Sequence, residues 1–313
     1  MKRVVIALGG NALLPQGEQD SAEAMRKSAR FASEVVAGIA EDGWEVVVTH
    51  GNGPQVGRIL LQQEAASGLV APMPLDVCGA ESQGQIGYLL QANIGDVFYE
   101  RGMDRPVVTI LTLTRVPRDD PAFHEPTKPI GPYYTKEDAG RLRDQRGWDL
   151  APAPGQEGTW RRVVPSPRPY SIVEAPVIRR LVAEEVIVIA AGGGGVPVVE
   201  EGPRLVGVEG VVDKDLAACI LARDVQADVL LIATDVQGVF EAFGTPNQRL
   251  LPKLSAQDAG RLVEMGALGE GSMKPKVEAA VQFVTDGGER AVIGSLHDAV
   301  RALAGEAGTQ IVP

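Results

Sequence analysis

The chain has 313 residues, enough to bury a large core as one α/β domain or as two lobes. Apolar residues make up 44% and charged residues 23%, a globular balance that excludes disorder as a global description. A net charge of −11 argues against nucleic acid or an anionic membrane as partner, because either favours a basic face.

In chain order, residues 4–8 read as a strand that runs into Gly9-Gly10-Asn11. A helix is expected over about 21–40, capped by Asp20 with Glu23 three positions on. Met25, Ala29, Ala32, Val36 and Ile39 form its apolar stripe. A second strand over 44–49 runs into His50-Gly51-Asn52-Gly53-Pro54, followed by helices over about 56–66 and 83–100 and a strand over 107–112. This β-α-β-α rhythm predicts a parallel sheet with helices on both faces. It breaks between about 115 and 167, where nine prolines exclude long helices and the stretch reads as a functional insertion, a lid or small subdomain. It resumes with a helix over 174–184 and an apolar strand over 186–191 that opens into Gly192, Gly193, Gly194 and Gly195. A hairpin near 200–203, a helix over 215–226 and a strand over 229–233 follow. Helices over 256–265, 274–285 and 297–303 and a strand over 290–293 complete the pattern.

Three strand ends of one character suggest a single anion-binding crevice at the carboxyl edge of the sheet. The competing reading is that the glycines only permit tight turns. No G-x-x-x-x-G-K-[ST] or complete G-x-G-x-x-G spacing is present, so a P-loop nucleotidase and a Rossmann dehydrogenase lose their main support. Three lysines sit in rigid loop contexts: Lys128 in PTKPIGP, Lys214 in Asp213-Lys214-Asp215, and Lys276 in GSMKPK. Phosphoryl transfer calls for such groups, since charge spreads over the oxygens of the moving phosphoryl and is stabilised by preorganised cations and amides. Cys78 and Cys219 lack metal or disulfide spacing and read as buried apolar thiols. His50, His124 and His297 have no motif-level partner, and His50 reads as a brace for its loop. No signal-peptide pattern opens the sequence and no apolar run approaches the roughly 20 residues a membrane span needs, so a cytoplasmic protein is expected.

Taken as an ordered set, GGNAL (9–13), HGNGPQVG (50–57), CGAESQGQIGY (78–88), EPTKPIGP (125–132), RRVVPSP (161–167), AGGGGVPV (191–198), VDKDLAA (212–218), FGTPNQ (243–248) and GSMKPK (271–276) resemble the carbamate kinases of the amino acid kinase family. The resemblance implies a three-layer α-β-α sandwich around a mainly parallel sheet, with a small protruding Pro-rich subdomain, usually as a homodimer. It divides the chain into an acceptor-side lobe, about 1–185 with the insertion at 115–167, and a nucleotide-side lobe, about 186–313. It implies reversible transfer between ATP and carbamate, giving ADP and carbamoyl phosphate, with Mg²⁺ carried by the nucleotide and no metal held by the protein.

By the same resemblance, Lys128, Lys214, Asp215 and Lys276 are catalytic. Lys214 and Lys276 flank the phosphoryl, Asp215 orients the lysines, and Lys128 supplies the charge that many relatives carry at the place of Ala7. Gly9, Gly10, Asn11, Gly51, Asn52 and Gly53 hold carbamate, while Gly192 to Gly195, Thr234, Asp235, Val236 and Met273 surround the nucleotide. Lys274 stands where a small residue is expected and is read as pointing outward. Alternative readings are a relative acting on another small carboxylate or phosphonate, and a non-catalytic anion or nucleotide sensor; retention of all three lysines weighs against the sensor. The direction of flux, toward ATP in arginine or purine breakdown or toward carbamoyl phosphate for biosynthesis, is left open.

Overall fold

The computed structural model describes residues 1–9, 21–153, 156–268 and 273–313. Its strands and helices, in chain order, are β1 (Arg3–Leu8), α1 (Ala22–Glu41), β2 (Glu45–His50), α2 (Gly53–Ala66), α3 (Leu75–Arg101), β3 (Val107–Thr109), β4 (Leu113–Arg115), β5 (Lys128–Tyr134), α4 (Lys136–Arg146), β6 (Leu150–Pro152), β7 (Trp160–Val164) and β8 (Ser171–Ile172). They continue with α5 (Ala175–Ala183), β9 (Ile187–Ile189), β10 (Val196–Glu201), β11 (Arg204–Gly207), α6 (Lys214–Asp224), β12 (Val229–Thr234), β13 (Phe240–Glu241), β14 (Arg249–Leu250), β15 (Lys253–Ser255), α7 (Ala256–Glu264), α8 (Met273–Thr285), β16 (Arg290–Ser295), α9 (Ala299–Leu303) and β17 (Thr309–Val312).

The main sheet has eight strands in the order β15-β17-β16-β12-β1-β2-β9-β3, parallel except where β16 meets β17. Side chains alternate along each strand, so one sequence feeds two cores. Val4, Ile6, Leu8, Val46 and Val48 pack under α1, α3 and α9. Val5, Ala7, Val47, Leu230 and Ile232 pack under α5, α6 and α8 on the opposite face. The result is the expected three-layer α-β-α sandwich.

The expected apolar stripe of α1 is buried in full, but its N-cap is Ser21, whose Oγ accepts the Ala24 N–H at 3.1 Å; Asp20 lies outside the described residues. α3 begins eight residues earlier than the sequence reading, because Leu75 and Cys78 are buried against Ile130 and Val164 of a smaller sheet. The strand expected over 107–112 divides: β3 ends at Thr109, and Gln83 takes over the backbone of Thr112, accepting its N–H at 2.9 Å and donating to its carbonyl at 3.1 Å. β4 then joins a second sheet, β11-β10-β4-β8.

Residues 128–164 form the antiparallel sheet β5-β7-β6, with α4 closing a small core of Ala139, Leu142 and Leu150 beside Trp148 and Trp160. Pro129 and Pro132 lie within β5, Pro132 in the stretch where the register with β7 shifts, and Pro152 ends β6, so the 11 residues of α4 are free of proline. β17, which no sequence signal marked, adds an antiparallel strand between β15 and β16.

Candidate active site

Because β9, β2, β1 and β12 run parallel, their carboxyl ends share one edge. The order reverses at β1: the chain builds outward through β2 and β9 on one side and through β12 and β16 on the other. A ligand crevice is expected outside the carboxyl ends at such a reversal. Gly9, Gly51 to Gly53, Gly192 to Gly195 and Asp235 to Val236 all follow strands that end there, and Thr234 is the last residue of β12.

The pieces of this edge are hydrogen-bonded together. The Gly51 N–H donates to the Leu8 carbonyl at 3.1 Å. Thr49 Oγ1 donates to the Ala191 carbonyl at 2.9 Å, and the Ala191 N–H donates to Thr112 Oγ1 at 2.9 Å. Thr114 Oγ1 donates to the Gly194 carbonyl at 2.8 Å, and Asn52 Nδ2 donates to Ser82 Oγ at 2.8 Å.

The four glycines form a single tight turn in which Gly193, Gly194 and Gly195 have φ of 65°, 96° and 77°. Packing alone demands bare backbone here. A Cβ at Gly192 would lie 2.3 Å from His50 Nε2, and one at Gly193 would lie 2.1 Å from Asn52 Nδ2. At Gly194 it would meet the Val212 carbonyl oxygen at 2.5 Å, and at Gly195 it would meet Thr114 Oγ1 at 2.1 Å. The glycine turn after β9 thus sits directly on Asn52, the residue that precedes α2.

His50 is buried in this wall. Burial first, and the charge of Lys214 to a lesser degree, lower its pKa to about 4 against the opposing pull of the Gly51 carbonyl. The ring is neutral at pH 7, so the proton lies on Nδ1, which is 3.0 Å from that carbonyl.

The charged groups gather at the start of α6. Asp213 is its N-cap, with Oδ1 accepting the N–H groups of Asp215 at 2.9 Å and Leu216 at 3.4 Å. Asp215 is buried and shared by two lysines: Lys214 Nζ donates to Oδ1 at 2.7 Å, and Lys276 Nζ donates to Oδ2 at 3.1 Å. Burial pushes the Asp215 carboxyl up, but the two ammonium groups more than reverse this and leave it below its ordinary value. Lys128, the first residue of β5, reaches over from the small sheet and donates to Asp213 Oδ2 at 2.7 Å. Three lysines from three elements therefore meet on residues 213–215.

The positions expected to act are distributed as follows. Gly9 lies against the Ala233 carbonyl, and a Cβ there would sit 3.2 Å from its oxygen. Gly51 and Asn52 are buried, and Gly53 is exposed at the first turn of α2. Thr234 ends β12, Asp235 and Val236 form the bend beyond it, and Met273 opens α8 one turn before Lys276. Gly10 and Asn11 lie outside the described residues. Lys274 is exposed, and its ammonium lies 3.9 Å from Glu278, one turn along α8.

Sequence reasoning left three features out of the site. Asp213 carried a capping signal, an acid directly before a helix, but nothing marked its partner. Thr49, Thr112 and Thr114 hold the glycine turn through hydroxyls that read as ordinary strand residues. Arg58 and Arg161 line a cavity of about 670 Å³ with Gly53, Gly57, Pro129 and Gly131, between the start of α2 and the small sheet.

A strand edge of this kind, with a turn of bare backbone beside converging cations, fits a phosphotransferase of the α/β class. The chain belongs to the amino acid kinase family, whose model matches residues 2–295, and within it to the carbamate kinase branch. It is 49% identical to the carbamate kinase of Thermococcus kodakarensis, with 100% of this chain and 99% of that protein covered. It is 46% identical to the carbamate kinase of Clostridium perfringens, with 99% of each covered. Among solved structures, the carbamate kinase from Giardia lamblia bound to AMP-PNP matches with a TM-score of 0.93 at 42% identity, over 99% of this chain and 98% of that one.

Proposed function

We propose that the protein catalyses ATP + carbamate ⇌ ADP + carbamoyl phosphate by direct in-line transfer, with no covalent phosphoenzyme. The observation that carries this reading is the meeting of Lys128, Lys214 and Lys276 on residues 213–215, beside a turn of four glycines, at the sheet's switch point.

Each group then has a physical task. Lys214 and Lys276, held on opposite oxygens of Asp215, present two ammonium groups to the equatorial oxygens of the phosphoryl. Asp215 keeps them fixed, so little reorganisation is needed as charge develops. Lys128 adds a third cation from the small sheet. Gly9, Gly51, Asn52 and Gly53, with Gly10 and Asn11, form the carbamate side, where the Gly51 N–H, bound to the Leu8 carbonyl, fixes the loop rather than donating to the ligand. Gly192 to Gly195, Thr234, Asp235, Val236 and Met273 surround the nucleotide, a role in keeping with the AMP-PNP bound by the Giardia relative.

Mg²⁺ is read as entering on the nucleotide's own phosphates, where it would bridge their oxygens and neutralise developing charge. His50, neutral and enclosed, serves as packing rather than as an acid or base.

We further read the protein as a cytoplasmic homodimer acting in arginine metabolism. Among the described residues no helix is long and apolar enough to cross a membrane. The dimer reading is supported by the main sheet's edge at β3, flanked by exposed Tyr88 and Tyr99 on α3 and by Leu111.

The test is to mix the protein with carbamoyl phosphate, ADP and Mg²⁺ and follow ATP by luminescence, with acetyl phosphate as a parallel donor. ATP formed from carbamoyl phosphate, faster than from acetyl phosphate, is expected. No ATP at high enzyme concentration overturns the assignment, and faster ATP formation from acetyl phosphate would move it to another carboxylate.

A further inference from the structure

Asp213 does two things with one carboxylate. Oδ1 accepts the first N–H groups of α6 and so fixes the turn that carries Lys214 and Asp215. Oδ2 accepts the ammonium of Lys128, which lies 85 residues away in sequence on β5 of the small sheet. A lysine is a flexible four-carbon stem, and Lys128 is half-buried rather than packed on all sides. Without a partner its ammonium would be spread over many rotamers. With Asp213 it is tied to the same helix start that holds the other two lysines.

We propose that Asp213 is the positioning residue for Lys128, aligning its ammonium with the Lys214–Asp215–Lys276 cluster before the phosphoryl arrives. The inference rests on Lys128 acting in transfer, as read above. The pair is suited to the task because it is moderate in strength. A partly exposed ion pair is weak enough for the ammonium to exchange onto a phosphoryl group, whose charge exceeds that of one carboxylate, yet strong enough to bias its direction. The cap anchors the carboxylate, so the bias is set by α6 and not by another flexible side chain.

The test separates the cap from the charge. Asn caps a helix as well as Asp does, so Asp213→Asn keeps the Oδ1 acceptor and removes the anion facing Lys128. Asp213→Ser, a second good cap too short to reach Lys128, guards against a folding failure in the first variant. In the ATP-forming direction we expect either variant to lower kcat by about tenfold with KM for ADP changed by less than about twofold, the mark of lost orientation rather than lost nucleotide binding. The melting temperature should stay within about 2 °C of the parent.

Lys128→Ala should lower kcat about 100-fold, and adding Asp213→Asn to it should cost nothing more. Equal losses from Asp213→Asn with and without Lys128 would show that Asp213 acts independently and overturn the proposal, as would a parent-like kcat in Asp213→Asn. A parent-like kcat in Lys128→Ala would instead overturn the catalytic reading of Lys128, and the positioning role with it.

Discussion

Lys214 and Lys276 are 14% and 9% exposed around an Asp215 side chain at 5%, whereas Lys128 is 34% exposed beside an Asp213 side chain at 19%. The glycines of the two regions differ in the same way. Gly194 has φ of 96° with the Val212 carbonyl oxygen against its hydrogen, while Gly131 has φ of 68° with no atom within 4 Å of an added Cβ. One region builds its charge and its bare backbone into the core, so change there is felt by the whole fold. The other carries its charge on a three-stranded sheet with room around it, so change there is felt mainly in the chemistry.

The sharpest way to break this comparison is at the glycines. Gly194→Ala combines left-handed strain with a backbone clash and should cost about 3–5 kcal/mol in urea unfolding. Gly131→Ala should cost about 1–2 kcal/mol, from strain alone. Similar costs would erase the distinction between the regions.

The lysines give the next largest contrast. Lys276→Ala removes one of two cations from a buried carboxylate and should cost about 3 kcal/mol or more, again by urea unfolding. Lys128→Ala, breaking a partly exposed pair, should cost about 1 kcal/mol or less.

His50 supplies a pH test confined to the buried region. Its ordinary pKa is 6.5 and its folded value about 4, so between the two only the unfolded chain takes up the proton. Stability is therefore fully present above about pH 6.5 and falls as the pH drops toward 4, by up to about 3 kcal/mol from this residue. Comparing unfolding of the parent and of His50→Gln at pH 7.5 and pH 5 checks the sign. An identical pH dependence in both would show that His50 is not held neutral by the fold.

The smallest effect is expected at the thiols. Burial pushes Cys78 up to about 11 and Cys219 up to about 12, each with a smaller push from nearby acids. Thiol reagents should leave the native enzyme with less than about 10% loss of activity, since neither group forms thiolate at neutral pH. Rapid inactivation would show that one of them is accessible.

The sequence made the central strands plain, because β1, β2, β9 and β12 are enclosed on both faces and appear as short apolar runs that end in glycine or a polar turn. Glycine junctions and loop lysines were enough to suggest one anion crevice, and the ordered motifs supplied the family. The first two turns of α3 were hidden because Gly79 and Ser82 weaken the helical signal, and burial of Leu75 and Cys78 under the small sheet sustains them. β17 was missed because four residues carry little pattern, and its place is set by pairing with β16 and β15. The reason for four glycines in a row was also out of reach. It lies in His50 and Asn52, Thr114, and Val212, which come from three segments and meet only in the fold. The Lys128–Asp213 pair is of the same kind, a contact between a strand and a helix cap that local sequence does not announce.

The central claim is that a lysine carried on the small sheet completes a phosphoryl site whose other two lysines are built into the core. The most direct measurement is kcat of Lys128→Ala in the ATP-forming direction, together with ADP binding by the same variant. We predict a fall in kcat of about 10² or more with ADP affinity within about threefold of the parent, the signature of a group that acts mainly in the transition state. A kcat within threefold of the parent would contradict the account.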